Sequence, residues 1–182
     1  MKKSHVLAFA LVLLTPALAY TFAPRSQRER IERGRYLVEA FACSDCHSPW
    51  VMGANGPQAD PARYLSGHPA ELDMPPAPEA QGPWITSASA SMTAWNGPWG
   101  MSFTANLTPD DETGLGRWSE EDFIATLRNG RHLGRGRELL PPMPFAAIRQ
   151  LTDEDLASVY AYLQSIPAIS NRVPNPRPPA AH

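Results

Sequence analysis

The hydrophobic and polar positions divide the chain into five stretches. Val6 to Leu14 is an unbroken apolar run behind Lys2 and Lys3, followed by Pro16 and the small-x-small triplet Ala17-Leu18-Ala19. This is the layout of a secretory leader, and it predicts export with cleavage near Ala19. The alternative is an uncleaved membrane anchor, against which the apolar core falls short of the roughly 20 residues a spanning helix needs. Gln27 to Phe41 is charge-rich but places Ile31, Tyr36, Leu37 and Phe41 on one face, which predicts a helix. Ser119 followed by Glu120, Glu121 and Asp122 is an N-terminal helix signature, with Phe123, Ile124 and Leu127 turned inward and Gly130 as the stop. Thr152, Asp153, Glu154 and Asp155 open a further helix whose buried stripe is Leu156, Val159, Tyr160 and Leu163, ending near Pro167. Gly34 suits a close crossing of the first and last helices, against Tyr160.

The fifth stretch, 48–104, is different. It holds nine prolines and four tryptophans (Trp50, Trp84, Trp95 and Trp99) but only five formal charges. So many prolines argue against long helices and central strands. The tryptophans and low charge argue against disorder. The stretch is therefore expected to be an ordered, irregular insertion. The segment 171–182 is expected to be a flexible tail. No internal repeat is present, so residues 20–182 are expected to form one domain behind the leader 1–19.

Charge narrows the function classes. The chain has 16 basic and 18 acidic side chains, and the leader takes both of its lysines with it. An acidic exported chain is not a nucleic-acid binder driven by bulk charge. The arginines at 25, 28, 30, 33 and 35 make a local basic segment, expected to be a solvated helix face. No paired carboxylates, phosphate loop or Ser-His-Asp set stands out, so no catalytic residue is assigned.

The candidate chemistry lies in Cys43-Ser44-Asp45-Cys46-His47, which contains the only two cysteines. A disulfide, half a zinc site and a thioredoxin-like pair all use two cysteines. Zinc lacks a second cysteine pair to complete four ligands, and the redox pair expects a strand before it. Cys-x-x-Cys-His is the attachment sequence for c-type haem. One turn of helix presents both sulfurs to neighbouring vinyl groups, and the adjacent imidazole becomes the proximal iron ligand. Its second ring N–H then needs an acceptor, for which analogy with related proteins that carry c-type haem suggests the Pro49 carbonyl. For the opposite face, Met143 stands in Leu-Pro-Pro-Met-Pro-Phe, where prolines restrict the loop around a soft ligand. Met101 and His132 are the reserves. Arg131, Arg135 and Arg137 form a basic loop just before Met143, where one or more suits a carboxylate of the haem, the alternative being an exposed basic loop.

These segments together carry a resemblance. Tyr36 to His47, Asn106-Leu107-Thr108-Pro109-Asp110, Gly114 to Leu127, Pro142-Met143-Pro144 and Leu151 to Pro167 resemble the haem domains in cytochrome c subunits of periplasmic alcohol and sugar dehydrogenases. They also resemble stand-alone class I cytochromes. The resemblance implies an all-α cytochrome c fold, three main helices around one covalent haem c, here with a long Pro/Trp-rich insertion. It implies Cys43 and Cys46 as thioether sites, with His47 and Met143 as the iron ligands. Those subunits carry three haem motifs where this chain has one. The implied function is electron transfer, with a dehydrogenase, oxidase or respiratory complex as donor and acceptor, either free or in a membrane-associated complex. The rivals are a haem enzyme or gas sensor with a labile sixth ligand, and a fixed relay subunit.

Overall fold

The computed structural model describes residues 25–78 and 82–179. The expected leader, 1–19, lies outside the described residues. Helix α1 spans Gln27–Ala40 and begins with a reciprocal cap, in which Ser26 accepts from the Glu29 N–H and the Glu29 side chain accepts from the Ser26 N–H. The chain then turns through Ala42, which adopts a left-handed conformation at φ 52°, into the short helix α2, Cys43–His47. Helix α3, Glu120–Asn129, is capped by Ser119 and ends on Gly130 at φ 65°, as its sequence predicts. A four-residue helix, α4 (Phe145–Ile148), follows the Met143 loop. Helix α5, Asp153–Leu163, is capped by Thr152.

Helices α1 and α5 cross and provide the core. Leu37 and Val38 meet Leu156, Val159 and Leu163, with Phe123 and Leu127 of α3 closing the cluster. Gly34 makes the crossing possible. A Cβ there would sit 1.9 Å from the Ser158 carbonyl oxygen and 2.8 Å from Tyr162 Cβ. The crossing partners are therefore Ser158 and Tyr162, which flank the expected Tyr160 on either side. Tyr160 instead turns its hydroxyl to the Trp118 carbonyl at 2.6 Å. Tyr36, expected on the inner face, is 56% exposed and lies beneath the Arg33 guanidinium. The inner stripe of α1 is Gly34, Leu37 and Val38.

The expectation of an all-α class is overturned. The insertion forms two small antiparallel sheets, so the fold is mixed. Strands β1 (Trp50–Gly53) and β2 (Gly56–Ala59) make a hairpin with a two-residue loop, and β3 (Ser87–Ala88), β4 (Ala94–Gly97) and β5 (Gly100–Phe103) make the second sheet. The prolines do not prevent this, because each strand is only two to four residues long and the prolines fall in loops or on a hairpin edge. Gly56 at φ 110° and Gly100 at φ 89° supply the turn conformations that other residues avoid. Met101 and Phe103 of β5 pack with Ala94 as a separate small core.

The N-terminal arginines are neutralised by carboxylates. Arg33 forks onto Asp155 at 2.9 and 3.1 Å, Arg25 meets Glu154 at 2.6 Å, and Arg30 pairs with Glu120. Arg30 and Arg33 thus lace α1 to α3 and α5, and Arg25 ties the segment before α1 to α5. No described helix is long and apolar enough to cross a membrane.

Two measurements test this packing. Gly34→Ala should destabilise the protein by roughly 2–3 kcal/mol, read from its denaturation midpoint, because backbone at the crossing must move. The Asp155 carboxyl is held below the usual carboxylate range, first by its hydrogen bond from Arg33. A depressed folded-state pKa contributes stability above the unfolded value of about 3.9, and that contribution is lost as pH falls through the folded value. Asp155→Asn should therefore cost about 1 kcal/mol near neutral pH, and the difference from the parent should shrink as pH falls below about 4.

Candidate cofactor site

A cavity of about 810 Å³ opens between α1, α2, α3 and the loops that carry Ala105 and Met143. That is within the usual range of cofactor pockets. Its walls are mainly apolar, with Leu37, Phe123, Leu127, Ile148 and Leu163 deep in it. Cys43, Cys46, His47 and Met143 all line this one cavity. Side chains from the first and last thirds of the described chain are thus brought to the same space.

Each is placed by its own local structure. The single turn of α2 presents Cys43, Cys46 and His47 together, and the two cysteines are not joined in a disulfide. Burial pushes the Cys43 thiol up to about 11 and raises that of Cys46, so both are neutral thiols at ordinary pH. His47 is 8% exposed, and burial lowers its pKa, which keeps the ring neutral. Its Nδ1–H donates to the Ala105 carbonyl at 2.8 Å. That bond fixes the tautomer and leaves Nε2 as the ring's lone-pair nitrogen. The acceptor is Ala105 rather than the expected Pro49, whose carbonyl instead accepts the Asp60 N–H at 2.8 Å. No sequence signal identifies Ala105, because the contact spans 58 positions and uses only backbone on that side.

The reserve residues separate. Met101 belongs to the small core beside β4 and is not among the residues lining the cavity. His132 does line it and stacks edge-on against Trp118 with ring centroids 5.0 Å apart. The three arginines of the basic loop also separate. Arg131 pairs with Glu138 at 2.8 Å and Arg135 with Asp122 at 3.2 Å. Arg137 lines the cavity, has no carboxylate partner among the described residues, and is lowered in pKa by desolvation.

The C-terminal segment adds a wall that its sequence does not suggest. Arg177 forms a two-way backbone bridge with Met101 at 2.9 Å and reaches Asp73 at 3.0 Å. Asn171 is bonded to Ser66, His68 and Ala70. Residues 171–177 are thus tied at one end to the segment 66–70 and at the other to β5, and Val173, Pro174 and Pro176 line the cavity. Proline content hides this, since the strap is held by side chains and one bridge rather than by a regular element.

The donor set fits a haem c. Two thiols sit on one turn, a neutral imidazole has one nitrogen committed to a carbonyl, and a thioether lines the same apolar cavity.

No protein-family model matches the chain. It is 32% identical over 151 residues to the fructose dehydrogenase cytochrome subunit of Gluconobacter japonicus, covering 83% of this chain and 23% of that one. It is 30% identical over 153 residues to the gluconate 2-dehydrogenase cytochrome c subunit of Pantoea cypripedii, covering 84% and 27%. A subunit of the nicotinate dehydrogenase of Pseudomonas putida is 39% identical over 145 residues, covering 79% of this chain and 9% of that protein. The chain spans less than a third of the length of each of these curated relatives. Two of these relatives are cytochrome subunits by name, and the chain resembles the c-type cytochromes. Within that class it resembles the cytochrome c subunits of dehydrogenases, as the segments quoted from its sequence imply.

Proposed function

We propose that this chain is an electron-carrying cytochrome domain that holds one haem c covalently through Cys43 and Cys46, with His47 and Met143 as axial ligands. The observation that carries the reading is the His47 ring, with Nδ1 tied to Ala105 and the ring lining the same cavity as both thiols and Met143. When bound, the haem supplies an iron that takes up and gives back one electron. The residues of the chain do the rest. Cys43 and Cys46 tether the group by its edge. His47 would bind the iron through Nε2, and Met143, on the loop before α4, would bind it through its thioether. The apolar walls exclude water, which keeps it from competing with these side chains as a ligand. Arg137, at the cavity and free of a carboxylate among the described residues, suits a carboxylate of the group.

With both axial positions taken by side chains, no site is left for a substrate at the iron. The chain is then a carrier and not the catalytic partner. The similar cytochrome subunits belong, by their names, to dehydrogenases. A dehydrogenase is accordingly the proposed electron donor, with an oxidase or another respiratory complex as acceptor. The leader-like residues 1–19 support work in the periplasm, with residues 20–182 as one domain. One attachment motif supports one haem.

Optical spectra of the exported holoprotein test the ligation. The ferric form of the parent and of His132→Ala should show the weak near-infrared band of a Met–iron pair, and Met143→Ala should lose it. A parent protein that is high-spin and binds CO readily would overturn the carrier reading in favour of a haem enzyme or sensor. Loss of low-spin character in His132→Ala with no change in Met143→Ala would overturn Met143 as the ligand.

A further inference from the structure

Asn106 opens the Asn-Leu-Thr-Pro-Asp segment, and nothing in the electron-transfer reading uses its side chain. Yet it is 3% exposed, and its polar atoms are fully engaged. Its Oδ1 accepts from the Thr108 N–H at 3.0 Å and from the Thr108 hydroxyl at 2.7 Å. Its Nδ2 donates to the Ile169 carbonyl at 2.8 Å and to Thr113 Oγ1 at 3.2 Å. Asn171 is a second hub. Its Nδ2 donates to the carbonyls of Ser66 and His68 at 2.7 and 2.8 Å, and its backbone N–H donates to Thr113 Oγ1 at 2.9 Å.

The residue between those two carbonyls is Gly67. Its N–H donates to the His47 carbonyl at 2.7 Å, and the neighbouring His68 N–H donates to the Thr104 carbonyl at 3.0 Å. The backbone at Gly67 has φ +79°, and a Cβ would lie 2.5 Å from the Thr104 oxygen, so only glycine lets these segments approach. Followed from one residue to the next, the contacts close a ring. It leaves His47 by its carbonyl, reaches the Gly67 N–H, passes along the chain to the Ser66 and His68 carbonyls that Asn171 holds, then through Thr113 to Asn106, and returns through the adjoining Ala105 carbonyl to His47 Nδ1. Ala105 has no polar side chain with which to hold itself, and its own stretch is irregular backbone.

A carbonyl acceptor on Nδ1–H raises the basicity of the opposite nitrogen, and the size of the effect depends on how firmly the acceptor is held. The geometry points to Asn106, Thr113 and Asn171 as positioning residues that together fix the Ala105 carbonyl on His47 Nδ1 and so set how strongly this imidazole donates to iron. The inference rests on His47 being the axial ligand. Under it, the Asn-Leu-Thr-Pro-Asp segment tunes the potential from behind the ligand, with the C-terminal strap as its anchor.

The test uses the full-length holoprotein as parent, Thr113→Val, Thr113→Ser and Asn171→Ala. Two quantities are read: the midpoint potential by redox titration, and the exchange rate of the His47 Nδ1 proton by NMR. Thr113→Val and Asn171→Ala should raise the potential, since a weaker donor stabilises ferric iron less, and should speed proton exchange by about tenfold. Thr113→Ser, which keeps the hydroxyl, should match the parent in both. If both disruptive variants keep the parent's potential and exchange rate while their melting temperatures fall, the residues only stabilise the fold and the inference is overturned. A parent protein whose spectrum shows no histidine coordination overturns the ligation reading first, and this inference with it.

Discussion

The bond between His47 Nδ1 and the Ala105 carbonyl is the contact on which the other parts of the structure converge. A buried histidine costs free energy unless its polar atoms are partnered, and here only one ring nitrogen is partnered by the protein among the described residues. The second faces a cavity with apolar walls. To hold that arrangement the chain needs a short helix to aim the ring, a loop to supply the carbonyl, and a braced surrounding that keeps the loop from relaxing. Helix α2 answers the first need. The segment 104–107, pinned by Thr93, His68 and Leu65 backbone contacts, answers the second. The glycine at position 67 and the strap from Asn171 answer the third.

The large helices serve this arrangement at a distance. The crossing of α1 and α5 through Gly34 brings Leu37, Val38, Leu156 and Leu163 to one wall of the cavity while their outer faces are laced by Arg33–Asp155 and Arg25–Glu154. The end of α1 fixes where α2 begins, because Ala42 must turn left-handed to start it. Helix α3 completes the opposite wall, and its stop at Gly130 releases the chain into the loop that carries Arg137 and Met143. The second sheet then holds the C-terminal strap through Met101 and Arg177, so the insertion acts as a scaffold for the cavity's far rim.

The helices were legible in the sequence because their caps are local signals: Ser119 with three acids, Thr152 with three acids, and Gly130 as a stop. The three candidate side chains of the Cys-x-x-Cys-His turn were legible for the same reason, since their spacing alone says they share one turn. Met143, singled out by its flanking prolines, lines the same cavity. What escaped was non-local. The hairpins of the insertion are two- to four-residue strands whose prolines masked the turn glycines at 56 and 100. Tyr36 reads as part of a helix face but falls just outside the buried stripe. The acceptor Ala105 is a backbone atom in an alanine, which no residue pattern marks, and the strap at 171–177 is held by Asn171 and Arg177 contacts to residues 105 and 104 positions away.

The most direct test of the account is the mass of the exported protein under denaturing conditions, taken from cells that attach haem, together with titration of its thiols. The expected result is one haem that stays on the unfolded chain and maps to the peptide holding Cys43 and Cys46, with neither cysteine reacting with a thiol reagent. A polypeptide of apoprotein mass with two reactive thiols, from cells in which a control c-type cytochrome is fully loaded, would contradict it.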